Sequence, residues 1–117
     1  MEGPKAGVLA TLEKVDPSAE LVETVRLPVN PAKTQRFEEW AKELAAETRK
    51  LSGLQTYEMH RALEGDAAVY FLYEVWDDRD ALRRLWESDF LMRFQGQLQT
   101  EQLLVGEPDL RVFLRHA

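Results

Sequence analysis

The chain contains no cysteine. Disulfides, thiol nucleophiles, zinc–thiolate sites and iron–sulfur ligation are excluded together. Histidine is nearly absent as well. His60 and His116 are far apart and have no spaced carboxylate partner, a poor constellation for a metal, so none is expected. Positive charge is in deficit: 15 Lys and Arg against 21 Asp and Glu leave a net charge of -6, which argues against a nucleic-acid partner. No apolar run approaches the roughly 20 residues that span a bilayer. The start, Met1-Glu2-Gly3-Pro4-Lys5, has no long apolar stretch of the kind that directs secretion, so a cytoplasmic location is expected. Glycine-rich phosphate loops, a Gly-x-Ser-x-Gly elbow and a His-Glu-x-x-His pair are also missing, which leaves kinase, hydrolase and metalloprotease chemistry without support.

What is present fits one globular domain. A chain of 117 residues, 44% hydrophobic and 31% charged, can bury a sizeable core without covalent staples. Residues 1–18 read as an N-terminal extension before a domain over 19–117. Val8, Leu9, Leu12 and Val15 suit one side of a short helix or a strand, and the pattern does not choose between them.

Residues 20–29 read as a strand, with Leu21, Val25, Leu27 and Val29 in one phase and Val22, Thr24 and Arg26 in the other. Pro28 confines its end to an edge or an exit from the sheet. Asn30-Pro31 is a helix start, and Phe37, Trp40, Ala41, Leu44, Thr48 and Leu51 form an apolar stripe that stops at Gly53. The runs 54–64 and 67–76 form a hairpin about Gly65-Asp66. In the second run Val69, Phe71, Tyr73 and Val75 point one way, and Tyr70, Leu72, Glu74 and Trp76 the other. A helical segment capped by Asp77-Asp78 continues to about Gln102, with a break near Ser88-Asp89, and 110–114 is a final strand.

The order β-α-β-β-α-β is a ferredoxin-like α+β plan with helices on one face of an antiparallel sheet. The third strand is apolar on both faces, so the second face needs a cover. A second copy of the same sheet is the simplest one, giving a homodimer that encloses a cavity for a small molecule.

The helix from Phe37-Glu38-Glu39-Trp40 to Leu51-Ser52-Gly53-Leu54, the stretch Tyr70-Phe71-Leu72-Tyr73-Glu74-Val75-Trp76-Asp77-Asp78, and Ala81-Leu82 after it resemble the antibiotic biosynthesis monooxygenase (ABM) family. The resemblance covers about residues 20–115. It implies a dimeric α+β barrel and a monooxygenase that needs no metal, haem, flavin or other cofactor. Such an enzyme acts on an electron-rich aromatic: a quinol, phenol or anthrone. The sequence departs from the family where many members place a histidine, having Arg83-Arg84-Leu85-Trp86 there. Val25 and Gln95 stand where haem-degrading relatives have Asn and His, and Leu72 and Leu82 where a polyketide branch has Asn and Tyr.

Three residues are catalytic candidates. Trp76 can stack on a flat ligand or hold an oxygen through its N–H, or it can plug the strand end. Glu74 can take a proton from a phenol, or it can pair with Arg26 or Arg61. His60 has the intrinsic pKa of a general base, or it is a solvated strand residue. Arg26, Tyr70 and Leu72 are candidates for substrate binding. Against the enzyme stands a non-catalytic dimeric barrel that binds a small apolar ligand or serves as a structural module.

Overall fold

The computed structural model describes residues 4–63, 65 and 68–116. Its elements run α1 (Lys5–Leu12), β1 (Leu21–Val29), a 3-10 turn (Pro31–Lys33), α2 (Thr34–Thr48), β2 (Leu54–Arg61), β3 (Ala68–Trp76), α3 (Arg79–Trp86), α4 (Asp89–Thr100) and β4 (Asp109–Leu114). The four strands form one antiparallel sheet in the order β2-β3-β1-β4. This is the ferredoxin-like α+β arrangement expected from the pattern. The extension, ambiguous by periodicity, is a helix whose Val8 and Leu12 are buried in the same core.

Pro28 does not mark an edge strand. β1 is central, flanked by β3 and β4, and its pairing with β4 covers Leu21 to Arg26 only. Pro28 lies beyond that ladder, where its missing N–H costs no rung. Its carbonyl accepts from the Val105 N–H at 2.8 Å. The expected turn at Gly65-Asp66 falls partly outside the described residues. Gly65 has φ of +89°, and the Ala62 N–H donates to the Val69 carbonyl at 2.8 Å, closing the β2–β3 pair.

Polar side chains terminate the helices. Asn30 accepts from the Ala32 N–H at 3.0 Å, Asp78 from Ala81 at 2.9 Å and Ser88 from Leu91 at 3.3 Å. The Ser88 cap separates α3 from α4 at the expected break. Glu101, just past α4, ties that helix to α2. It accepts from Arg36 at 2.6 and 3.0 Å and from the Trp40 indole at 2.8 Å.

Gly53 sets the junction between β2 and α3. Its φ is +87°, and a Cβ built on it would sit 2.5 Å from the Ala81 Cβ. Only glycine permits both the backbone angle and the approach. Its carbonyl accepts from the Asp77 N–H at 2.7 Å, fixing the end of β3 where α3 begins.

The helices cover one face of the sheet. Leu21, Glu23, Val25, Leu27 and Val29 of β1 and Ala68, Tyr70, Leu72, Glu74 and Trp76 of β3 are buried on it. The other face carries Val22, Thr24 and Arg26, then Val69, Phe71 and Tyr73, with Phe71 and Phe113 exposed.

Candidate active site

The strand register assembles a row across the helix-covered face. Glu23 stands directly opposite Glu74, Tyr57 opposite Glu74 on its other side, and Val112 opposite Glu23. The row is therefore Val112, Glu23, Glu74, Tyr57. The rungs on either side of the acids are apolar: Leu21 with Trp76, and Val25 with Leu72.

Both carboxyl groups are buried, at 1% exposure each. Two indoles hold them. Trp76 Nε1 donates to Glu74 Oε1 at 2.8 Å, and Trp86 Nε1, from α3, donates to Glu23 Oε2 at 2.7 Å. The two acids face each other as cross-strand partners, close enough for each to shift the other's titration. Among the described residues, no ion pair brings a lysine or arginine to either one.

Two like charges at this distance in an apolar core cannot both ionise. Burial pushes the Glu23 carboxyl up to about 7, against the hydrogen bonds from Trp86 and Glu74 that favour its anion. Burial, and then the charge on Glu23, hold Glu74 well above the usual carboxylate range. With both carboxyls raised by burial, the pair retains a proton near neutral pH. Such a pair can take up one proton and give another without a metal or a histidine.

Tyr57 completes the row. Its hydroxyl is buried and, among the described residues, makes no hydrogen bond of normal geometry, with the Thr48 hydroxyl as its neighbour. The nearby Thr48 hydroxyl is engaged with the Leu44 carbonyl at 2.7 Å. Burial, and then the charge of Glu74, push the phenol's pKa up, so it stays neutral.

The six residues marked out by sequence divide between the two faces. Trp76, Glu74, Leu72 and Tyr70 share the helix-covered face. The Tyr70 ring packs 4.7 Å from that of Phe37, and its hydroxyl donates to Glu38. Burial, with the Glu38 hydrogen bond, pushes the Tyr70 phenol up to about 12. His60 and Arg26 lie across the sheet on the opposite face, in register with Phe71 from either side. His60 Nε2 is 3.3 Å from Glu58 Oε1, and both side chains are more than half exposed.

The pairing of Glu74 with Arg26 or Arg61 is not found. Arg26 is on the wrong face, and Arg61 sits over the Tyr70 ring, 5.5 Å from its centroid. The partner is another acid instead. Sequence reasoning passed over Glu23, Trp86 and Tyr57. The available signal was Glu23 itself, an acid between Leu21 and Val25 in the apolar phase of its strand.

Two cavities flank this layer. One, about 320 Å³, lies between α2 and α4, with Trp40, Leu44, Phe90 and Phe94 on its walls. The other, about 540 Å³, lies between α1 and β4. Neither is lined by Glu23 or Glu74. Among the described residues, no group of three or more His, Asp or Glu side chains could hold a metal ion. No helix there is long and apolar enough to cross a membrane.

The sequence profile of the antibiotic biosynthesis monooxygenase family matches residues 21–95, from the start of β1 into α4. The chain belongs to that family. Solved structures repeat the ABM fold. A conserved protein from Methanosarcina mazei superposes with a TM-score of 0.76 at 23% identity, over 86% of this chain and 96% of that one. A proposed antibiotic biosynthesis monooxygenase from Caulobacter crescentus gives 0.77 at 22% identity, over 86% and 93%. A variant of SnoaB, a cofactor-independent oxygenase from Streptomyces nogalater, gives 0.72 at 22% identity, over 85% and 95%. At these identities the likeness is one of fold. No curated protein matches the chain in sequence. The ABM match begins after α1, so that helix lies outside the family's shared segment.

Proposed function

We propose that this ABM protein is a cofactor-independent monooxygenase of a small electron-rich aromatic, a quinol, phenol or anthrone. The observation that carries the reading is the proton-sharing Glu23–Glu74 pair, held by two indole N–H groups in an apolar layer. Glu23 takes the proton of the substrate's hydroxyl or enol. The resulting anion is electron-rich enough to reduce dioxygen, forming a carbon–oxygen bond and a hydroperoxide. Glu74 gives its proton to that peroxide, then takes the hydrogen left on the oxidised carbon as the C=O forms and the O–O bond breaks, while Glu23 returns its proton to the leaving hydroxide to make water. For an anthrone the balance is one substrate and one dioxygen to one anthraquinone and one water. All four electrons that reduce dioxygen come from the substrate carbon, whose two C–H bonds are replaced by a C=O, and the pair returns to its one-proton state. Trp76 and Trp86 position the carboxyls, and Leu72 and Tyr70 border the ring on the following rungs of β3.

A second copy covers the open face in this reading, closing a dimeric barrel. Phe71, Phe113 and Leu114 are exposed on or beside that face and would be buried in the dimer. Arg26 and His60 then belong to the subunit interface rather than to the chemistry. Light scattering at micromolar concentration tests this; the expected mass is twice the 13.5 kDa of the chain.

The test of activity is dioxygen uptake by metal-free protein offered 1,4-dihydroxynaphthalene and anthrone. Uptake above the no-protein rate is expected, falling by about 100-fold or more in Glu74→Gln, the usual worth of a positioned acid or base. A smaller loss is expected in Trp76→Phe. Uptake unchanged in Glu74→Gln would sink the assignment of the pair.

One observation favours the alternative, a non-catalytic barrel that binds a small apolar ligand: Trp76 is fully buried and neither cavity reaches the pair. Ligand binding without any uptake over the whole panel would decide for it.

A further inference from the structure

The cavity between α2 and α4 combines an apolar base with unpaired charges of both signs. Glu101 pins the end of α4 to the first half of α2 through Arg36 and Trp40, so the two helices run antiparallel. The cavity, about 320 Å³, lies beyond that pin, along the first turns of α4. On α2, Trp40, Glu43, Leu44 and Glu47 stand three and four residues apart, which places them on one helix face. On α4, Phe90, Arg93 and Phe94 do the same. Leu44 and Phe94 are buried and form the base, and Trp40 and Phe90 are half-buried beside them.

The two walls carry opposite charge. α2 supplies the Glu43 and Glu47 carboxylates, and α4 supplies the Arg93 guanidinium. They line one cavity without pairing across it. Among the described residues, Glu43 and Arg93 make no hydrogen bond, ion pair or ring contact. The Glu47 carboxylate meets only Lys50, at 3.3 Å. Among the arginines only Arg26, on the open face of the sheet, is equally without a partner.

This charge pattern selects the ligand. An anion drawn to Arg93 faces two carboxylates, and a simple cation drawn to those carboxylates faces Arg93. A molecule with one charge of each sign satisfies both walls. The apolar base adds a hydrocarbon part to the requirement. The volume is at the lower end of small-molecule sites, about 300–1,000 Å³, which suits a single amino acid.

We infer that the α2–α4 cavity binds a free α-amino acid with a large apolar side chain. Its carboxylate takes the forked guanidinium of Arg93, and its ammonium lies against Glu43 and Glu47. Its side chain rests on Leu44 and Phe94, between Trp40 and Phe90. The cavity is not lined by Glu23 or Glu74, so the site is separate from the proposed chemistry and does not rest on it.

Nuclear magnetic resonance titration of the nitrogen-15-labelled chain with L-phenylalanine and L-leucine, at low salt, tests the site. The Trp40 indole N–H and the amides of α2 and α4 report where binding occurs. Phenethylamine lacks the carboxylate and 3-phenylpropionate lacks the ammonium. At least one of the two amino acids is expected to bind with a Kd of about 1 mM or below, and each one-charge analogue about tenfold or more weakly than L-phenylalanine. Arg93→Gln should weaken the amino acid about tenfold and leave phenethylamine unchanged. Glu43→Gln with Glu47→Gln should weaken it as much and leave 3-phenylpropionate no weaker. Unshifted amides in the sheet verify that the variants fold, as exposed substitutions are expected to. No binding of either amino acid overturns the inference. So does a one-charge analogue that binds as tightly, or binding that both variants leave unaltered. Dioxygen uptake is read in a separate assay, so failure of this site leaves the oxygenase reading standing, and loss of that reading leaves this site.

Discussion

Replacing Glu23 by Gln should make the protein more stable, and only above a particular pH. An unfolded glutamate has a pKa of 4.5, whereas burial pushes the folded Glu23 up to about 7. Between those two values the folded chain holds a proton that the unfolded chain has released. The share of stability due to Glu23 therefore falls as pH rises through that window and levels off above it, while Glu74, held well above the usual range, continues the fall in both proteins. At about 1.4 kcal/mol per pH unit, the loss attributable to Glu23 is about 3 kcal/mol. Glutamine has no charge to lose. Its amide oxygen still accepts from Trp86, and its NH₂ donates to Glu74, which then accepts instead of donating. The variant should match wild type near pH 4 and exceed it by about 3 kcal/mol at pH 8, which for a domain of this size is a rise in Tm of about 10 °C. Glu101 is held below the usual carboxylate range by Arg36, and Asp16 by its hydrogen bonds with Ser18. They destabilise only at lower pH and do so equally in both proteins. Calorimetric melts of the two proteins at pH 4, 5, 6, 7 and 8 give the difference directly. A difference that stays constant across the series, or that makes wild type the more stable at pH 8, would refute the shared-proton description.

Other perturbations read other parts of the structure. Trp86→Phe removes the only indole on Glu23 and should cost about 2–3 kcal/mol at pH 8 in urea unfolding, and less at pH 4, where Glu23 is neutral. Tyr57→Phe deletes a buried hydroxyl that makes no hydrogen bond of normal geometry among the described residues, so stability should hold or rise by about 1 kcal/mol; a loss above about 1 kcal/mol would mean the hydroxyl is bonded in solution. Gly53→Ala meets both a positive φ and the Ala81 Cβ, and should lower stability by about 2 kcal/mol or more in the same assay.

The elements with strong local signals were legible from the sequence. α2 declared itself through the spacing from Phe37 to Thr48 and the Asn30-Pro31 start. β3 did so because it is apolar in both phases. The element order β-α-β-β-α-β was legible too, and with it the ferredoxin-like plan. The site was legible only in half. Glu74 and Trp76 stood out because they close an aromatic strand. Glu23 did not, since an acid in a strand is ordinary until its partner is known. Its partner is set by a register between segments about fifty residues apart, and no local pattern encodes that. The same gap left His60 and Arg26 grouped with Glu74: alternation says which residues share a face of one strand, not which face the helices take. α1 was ambiguous for another reason. Ala6, Val8, Leu9, Ala10 and Leu12 distribute apolar atoms around the whole helix, so no period distinguishes it from a strand.

The placement of the tryptophans gives the protein a built-in optical gauge. It has three. Trp76 and Trp86 each end on one carboxyl of the pair, whereas Trp40 ends on Glu101 at the far side of the helix layer. A proton arriving at or leaving the pair changes the electric field along two indoles and spares the third. Indole emission should therefore shift between pH 6 and 8 with no added dye, with Trp40 as an internal reference. Protonation of the buried acids can then be followed in the intact protein by its own light.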